Sequence, residues 1–83
     1  MKQTFLKSID GFDLEFNKLL YPTRYQVVLK RPNRNPVIVT FNKSSDDEWM
    51  LADRDVEDFG DIEPILGEVT EAIYDNESVG VVV

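Results

Sequence analysis

The side chains of this chain that could carry chemistry are carboxylates, and they are densest between residues 53 and 63. Asp53, Asp55 and Glu57 occupy the first, third and fifth positions of a calcium-binding loop counted from Asp53. An EF-hand loop has glycine at its sixth position and a bidentate glutamate at its twelfth, where this chain has Asp58 and Pro64. The spacing therefore favours a solvated acidic connector. Binding of a small ligand or metal ion by this connector is the alternative hypothesis for function, and no metal ligand is assigned.

The composition excludes most of the common catalytic sites. The chain has no cysteine and no histidine, which rules out thiolate nucleophiles, Cys/His zinc sites, iron–sulfur clusters and Ser–His pairs. No glycine-rich phosphate loop or Gly-x-Ser-x-Gly elbow occurs. Glycosidase-type carboxylate pairs need a substrate cleft between them, and the spacing selects no such pair. We expect a protein that is not an enzyme, with no catalytic residue and no cofactor.

Charge is distributed unevenly along the chain. Residues 1–45 carry a formal charge of +5 and residues 46–83 carry −12, which gives the net charge of −7. An acidic chain is unsuited to nucleic acid, because that binding depends on neutralising phosphates. One interpretation of this asymmetry is that the basic strands and the acidic helix share one solvated surface. The other is a dipolar molecule, which would associate head to tail or bind a basic partner.

Length and hydropathy indicate one domain in the cytoplasm. The 83 residues are 42% apolar and 30% charged, which are values typical of globular chains of a single domain, here 1–83. No apolar run approaches the length of a membrane span, and residues 1–7 lack the apolar run of a signal peptide. We therefore expect no membrane partner.

The elements that must position any site begin with a β-hairpin. Asp10-Gly11 between alternating apolar residues is a strong signal for a two-residue type I′ loop, since both loop positions need φ > 0. That loop determines the register of the hairpin, which pairs Ile9 with Phe12, Lys7 with Leu14 and Phe5 with Phe16.

Three further alternating segments extend this hairpin into a meander. They are 25–31, 37–42 and 48–52, and the residues expected to point inward are Tyr25, Val27, Leu29, Val37, Val39, Phe41, Trp49 and Leu51. A helix over 61–76 should follow, with Asp61 as its N-cap and its apolar residues along one stripe. The predicted fold class is α+β: an antiparallel β-meander of about five strands with one C-terminal amphipathic helix packed on one sheet face.

The outward face of this sheet supplies the candidate interaction residues. If Val27 and Val39 face the helix, then Val28, Ile38 and Met50 face away and form an apolar stripe on the uncovered face. Trp49 is either a core residue or a binding anchor.

Residues 79–83 favour a strand that is added at a sheet edge of the same molecule or of a neighbour, and Val81 and Val83 are its candidate contact residues. A disordered end and a peptide that another protein binds by strand addition are the alternatives. The leading hypothesis is a non-catalytic protein-interaction module, self-associating through the sheet as a homo-oligomer.

Overall fold

Five strands and a C-terminal helical segment make up the computed structural model, which describes residues 3–52 and 59–78. The strands form one antiparallel sheet in the order β1-β2-β3-β4-β5. Their bounds are β1 Thr4–Ile9, β2 Phe12–Leu19, β3 Arg24–Lys30, β4 Val37–Lys43 and β5 Trp49–Leu51. The α+β prediction is confirmed, because the helical segment lies against one face of an antiparallel meander.

The first hairpin has the predicted loop and register. Asp10 and Gly11 have φ of 48° and 83°, as a type I′ loop requires. Ile9 pairs with Phe12, Lys7 with Leu14 and Phe5 with Phe16, and the Phe5 and Phe16 rings stack with centroids 4.5 Å apart. Because this register sets which side chains of both strands face inward, it also determines which of them face solvent.

The core lies between the inner sheet face and the helical segment. Most inward positions of β2, β3 and β4 are almost completely buried, as are Ile62, Ile65, Val69, Ala72 and Ile73 of the helical segment. The most deeply buried side chains are Tyr25, Phe16, Phe41, Leu14, Leu29, Ile62, Ile73, Val27, Val39 and Val69. The sequence therefore predicted the inner layer of the sheet and most of the residues that cover it.

The helical segment is interrupted, whereas the sequence predicted one continuous helix. α1 spans Phe59–Ile62, a 3-10 turn spans Glu63–Ile65, and α2 spans Leu66–Ser78. The interruption falls at Pro64, which has no backbone N–H to continue the hydrogen-bond ladder. Asp61 therefore lies inside α1 instead of forming the N-cap of a longer helix.

α2 also continues beyond Asn76, where the sequence predicted its end. Asn76 is buried, and its Nδ2 donates a hydrogen bond of 2.7 Å to the Tyr25 hydroxyl. The Asn76 side chain therefore binds Tyr25 and does not cap the helix, which ends at Ser78. No helix in the described ranges has the length and apolar content needed to cross a membrane.

Two predicted features lie outside the described residues. They are residues 53–58 of the acidic connector, which the sequence predicted over 53–60, and the valine segment at 79–83, which contains Val81 and Val83. Residues 59 and 60 are not part of a connector, because they begin α1.

Candidate interaction surface

The sheet face opposite the helix carries a line of side chains in register across four strands. Leu6, Glu15, Val28 and Ile38 are successive cross-strand partners from β1 to β4, and we call them the outer row. Leu6 is 76% exposed, Ile38 is 50% exposed and Val28 is half-buried. The strand register thus places three apolar side chains in one line on the uncovered face, with one carboxylate among them.

Met50 does not join this row, although the sequence predicted it in the same stripe. It is 57% exposed and lies opposite Asn42, whereas Ile38 lies opposite Val28. Ile38 and Asn42 are four residues apart on β4, which corresponds to about 13 Å along a strand. The structure therefore brings Val28 and Ile38 together and leaves Met50 at the other end of the face.

Most of the other outward strand positions are polar, and the outer face as a whole is balanced in charge. Thr4 Oγ1 donates to Asn17 Oδ1 at 3.3 Å, and Ser8 Oγ donates to Asp13 Oδ1 at 3.1 Å. The charged residues at outward strand positions are Asp13, Glu15, Arg24 and Lys30, two of each sign. This face therefore has no net charge, although the whole chain carries −7.

Leu6 is the outer-row residue that sequence analysis missed, although the signal was present. The Asp10-Gly11 loop assigns Phe5, Lys7 and Ile9 to the helix side of the sheet, so Leu6 must lie on the opposite face. A leucine exposed on an edge strand is a stronger indication of a contact surface than the β-branched residues of the inner strands.

Trp49 belongs to the core. It is 6% exposed, and its ring meets Tyr25 edge to face, with centroids 4.9 Å apart and an angle of 87° between the rings. Its backbone N–H donates to the Tyr74 hydroxyl at 3.1 Å. This burial leaves Trp49 little surface with which to anchor a partner.

A polar cluster joins the sheet to the last turns of α2. Lys18 Nζ lies 2.7 Å from Glu77 Oε2, and the Tyr25 hydroxyl donates to the same oxygen at 2.5 Å. The Tyr25 hydroxyl also accepts a hydrogen bond from Asn76 Nδ2. Sequence analysis missed this cluster because the predicted helix ended at residue 76, before Glu77.

Burial and the contacts within this cluster determine the protonation states of Glu77 and Tyr25. Partial burial acts to raise the pKa of Glu77, but the hydrogen bonds from Lys18 and Tyr25 and the charges of Lys18 and Lys43 outweigh it and lower that pKa below 4.5. Burial, and then the contact with Glu77, raises the pKa of Tyr25 well above its ordinary range. Glu77 therefore stays ionised and Tyr25 stays neutral near pH 7, which suits structural support and not proton transfer.

Acidification should remove the contribution of Glu77 to stability. Since folding lowers the pKa of Glu77, this contribution is fully present above about pH 4.5 and is lost as the pH falls through the lowered value. Denaturation of the wild type and of Glu77→Gln between about pH 2 and pH 7 should show a difference in unfolding free energy that shrinks toward acid. Asp75→Asn, which removes an exposed carboxylate of the same helix, controls for net charge. A difference that stays constant with pH would contradict the assignment.

The described residues offer no alternative centre for metal chemistry. Within 3–52 and 59–78, no group of three or more Asp, Glu, His or Cys side chains could hold a metal ion. No protein-family model, curated protein or solved structure matches the chain.

Proposed function

We infer that this protein is a non-catalytic protein-interaction module that self-associates through its sheet. The observation that supports this proposal is the outer row, in which Leu6, Val28 and Ile38 lie in one cross-strand line on the face opposite the helix, with Glu15 between Leu6 and Val28. Single apolar residues on a sheet surface are ordinary, but an exposed line of them in register is typical of a contact surface. A second copy is the partner that this surface best fits.

The charge of the outer face favours association between copies. A net charge of −7 makes copies of the chain repel each other in general. The outward positions of the strands carry equal numbers of acidic and basic side chains, so contact through this part of the molecule avoids that repulsion. The exposed acidic side chains of α2, which are Glu68, Glu71 and Asp75, lie on the other side of the sheet and would remain in solvent.

The molecular mass in solution tests self-association directly. Sedimentation or light scattering from about 1 µM to about 1 mM should show a shift from monomer toward dimer, as expected for an interface of moderate affinity. A monomer over the whole range would contradict self-association.

Ligand or metal binding by the acidic connector stays the alternative hypothesis. A ligand that binds only the native state raises the thermal midpoint. A calcium titration followed by thermal melting therefore separates the two functions: an unchanged midpoint favours the interaction module. The cytoplasmic location and the contacts of Val81 and Val83 likewise stay predictions from the sequence.

A further inference from the structure

We propose that two copies of the chain associate edge to edge through β1, antiparallel about a two-fold axis at Leu6, so that each sheet continues into the other. This inference rests on the proposed self-association and confines the contact to the β1 end of the outer row, so that Val28 on β3 and Ile38 on β4 stay outside it. β1 is an outermost strand of the sheet, and no described strand pairs with its outer side. An exposed edge strand presents a row of backbone donors and acceptors to which another strand can pair.

The hydrogen-bonding pattern of the first hairpin shows which backbone groups face this edge. Lys18 N–H donates to the carbonyl of Gln3 at 2.6 Å, so Gln3 and Lys18 form a hydrogen-bonded pair. Such pairs alternate along an antiparallel ladder, so Phe5, Lys7 and Ile9 direct their backbone groups toward β2. The alternate residues of β1 are Thr4, Leu6 and Ser8, and their backbone N–H and C=O groups therefore point to the open edge.

These three residues are complementary to their own copies. With the axis at Leu6, the partner's Leu6 lies opposite Leu6, and the partner's Ser8 lies opposite Thr4. Every residue that directs its backbone groups outward then meets another that does the same, which allows about six backbone hydrogen bonds. On the inner side, Phe5 lies opposite the partner's Lys7, so no two like charges face each other.

The side chains agree with this register. The side chains of Thr4 and Ser8 make hydrogen bonds to β2 residues. Between them, at the centre of the edge, the apolar side chain of Leu6 is 76% exposed. Pairing buries Leu6 against its copy and joins the two outer rows into one. A shift of the axis to Lys7 would instead place Lys7 opposite its copy, which like-charge repulsion disfavours.

The opposite edge of the sheet is less suited to such pairing. β5 has three residues and β1 has six. β5 directly follows Asp46, Asp47 and Glu48, so two copies meeting there would bring their acids together. Lys7 is the single charged residue of β1.

A pair of charge substitutions tests the interface. Leu6→Lys places two like charges opposite each other at the axis and should leave the protein monomeric at concentrations where the wild type is a dimer. Ile38→Lys is the matched control, because it makes the same change on the same face, three strands away. It should leave the dimer intact, and circular dichroism should show that both variants are folded.

Cross-linking tests the register without introducing a charge. The chain has no cysteine, so each variant carries one thiol. Opposed residues of a hydrogen-bonded pair have Cα atoms about 5.5 Å apart, within the disulfide range, so Leu6→Cys should give a covalent dimer on mild oxidation. Ser8→Cys, on the same strand and face, should not, because the two thiols would lie about 14 Å apart along the strands.

The outcomes separate this inference from the proposed function. A wild type that is monomeric throughout overturns both. A wild-type dimer that survives Leu6→Lys and dissociates with Ile38→Lys retains self-association but moves it to the sheet face, which overturns the β1 interface. Cross-linking of Ser8→Cys as efficient as that of Leu6→Cys also overturns the register. Loss of the dimer with Leu6→Lys alone and cross-linking of Leu6→Cys alone support it.

Discussion

Ile73→Ala is expected to lower the free energy of unfolding by about 2–5 kcal/mol. Ile73 has no exposed surface and lies in the core that α2 forms with the sheet. Truncation removes buried methyl and methylene groups and leaves a cavity that rigid strands on the inner face cannot close. Because small domains are stable by about 5–15 kcal/mol in total, this loss should be visible in a urea titration as a much lower midpoint.

Glu71→Ala is the matched control for Ile73→Ala. Glu71 lies on the exposed side of the same helix, where substitutions usually change stability by less than about 0.5 kcal/mol. Equal losses in the two variants would show that α2 does not cover the sheet as described.

Leu66 and Val69 both lie on the apolar stripe of the predicted helix, but they are buried to different extents. The helical pattern gives Leu66 and Val69 equal weight in the core, but Val69 is fully buried and Leu66 is half-buried. Leu66 follows the 3-10 turn and lines a groove beside β5. Its truncation should therefore cost less than that of Ile73.

Lys18→Met is expected to destabilise the fold by about 2–3 kcal/mol, below the 3–5 kcal/mol typical of a fully buried pair. The Lys18 and Glu77 side chains are 8% and 18% exposed, so the substitution leaves a carboxylate that is largely removed from water without its cation. The Tyr25 hydroxyl still donates to Glu77 and limits the loss. Chemical denaturation at neutral pH measures the change.

A double-mutant cycle distinguishes lost charge pairing from lost packing. Lys18→Met combined with Glu77→Gln removes the uncompensated carboxylate, so the double variant should lose less stability than the sum of the two single variants. Strict additivity would mean that Lys18 and Glu77 do not stabilise each other.

The sheet was predictable where one local signal determines many contacts. The Asp10-Gly11 loop settles the hairpin register, and the alternation of the next two segments then assigns Val27 and Val39 to the core. The same alternation places Val28 and Ile38 outside, and their pairing follows from the shared register. These features follow from period-two geometry, which the sequence carries directly.

The position of Met50 was not predictable in this way, because it depends on the turn before β5. Ser44 Oγ accepts hydrogen bonds from the backbone N–H groups of Asp46 and Glu48, and Asp47 has φ of 61°. This turn places Met50 opposite Asn42. The polar residues of this loop do not specify the geometry of the turn. The alternation therefore predicted the correct sheet face for Met50, but it did not predict which residue lies opposite Met50 on β4.

The end of α2 has a consequence for the cooperativity of folding. α2 has no basic residue in its last turn, where a cation would offset the partial negative charge of the exposed carbonyls, and it carries Glu77 there. The cation comes instead from Lys18, 59 positions away in sequence and on β2. A peptide containing α2 alone lacks this partner, so its last turn should fray. We therefore expect the last turn of α2 and strand β2 to form together, and the two layers of the domain to unfold as one unit.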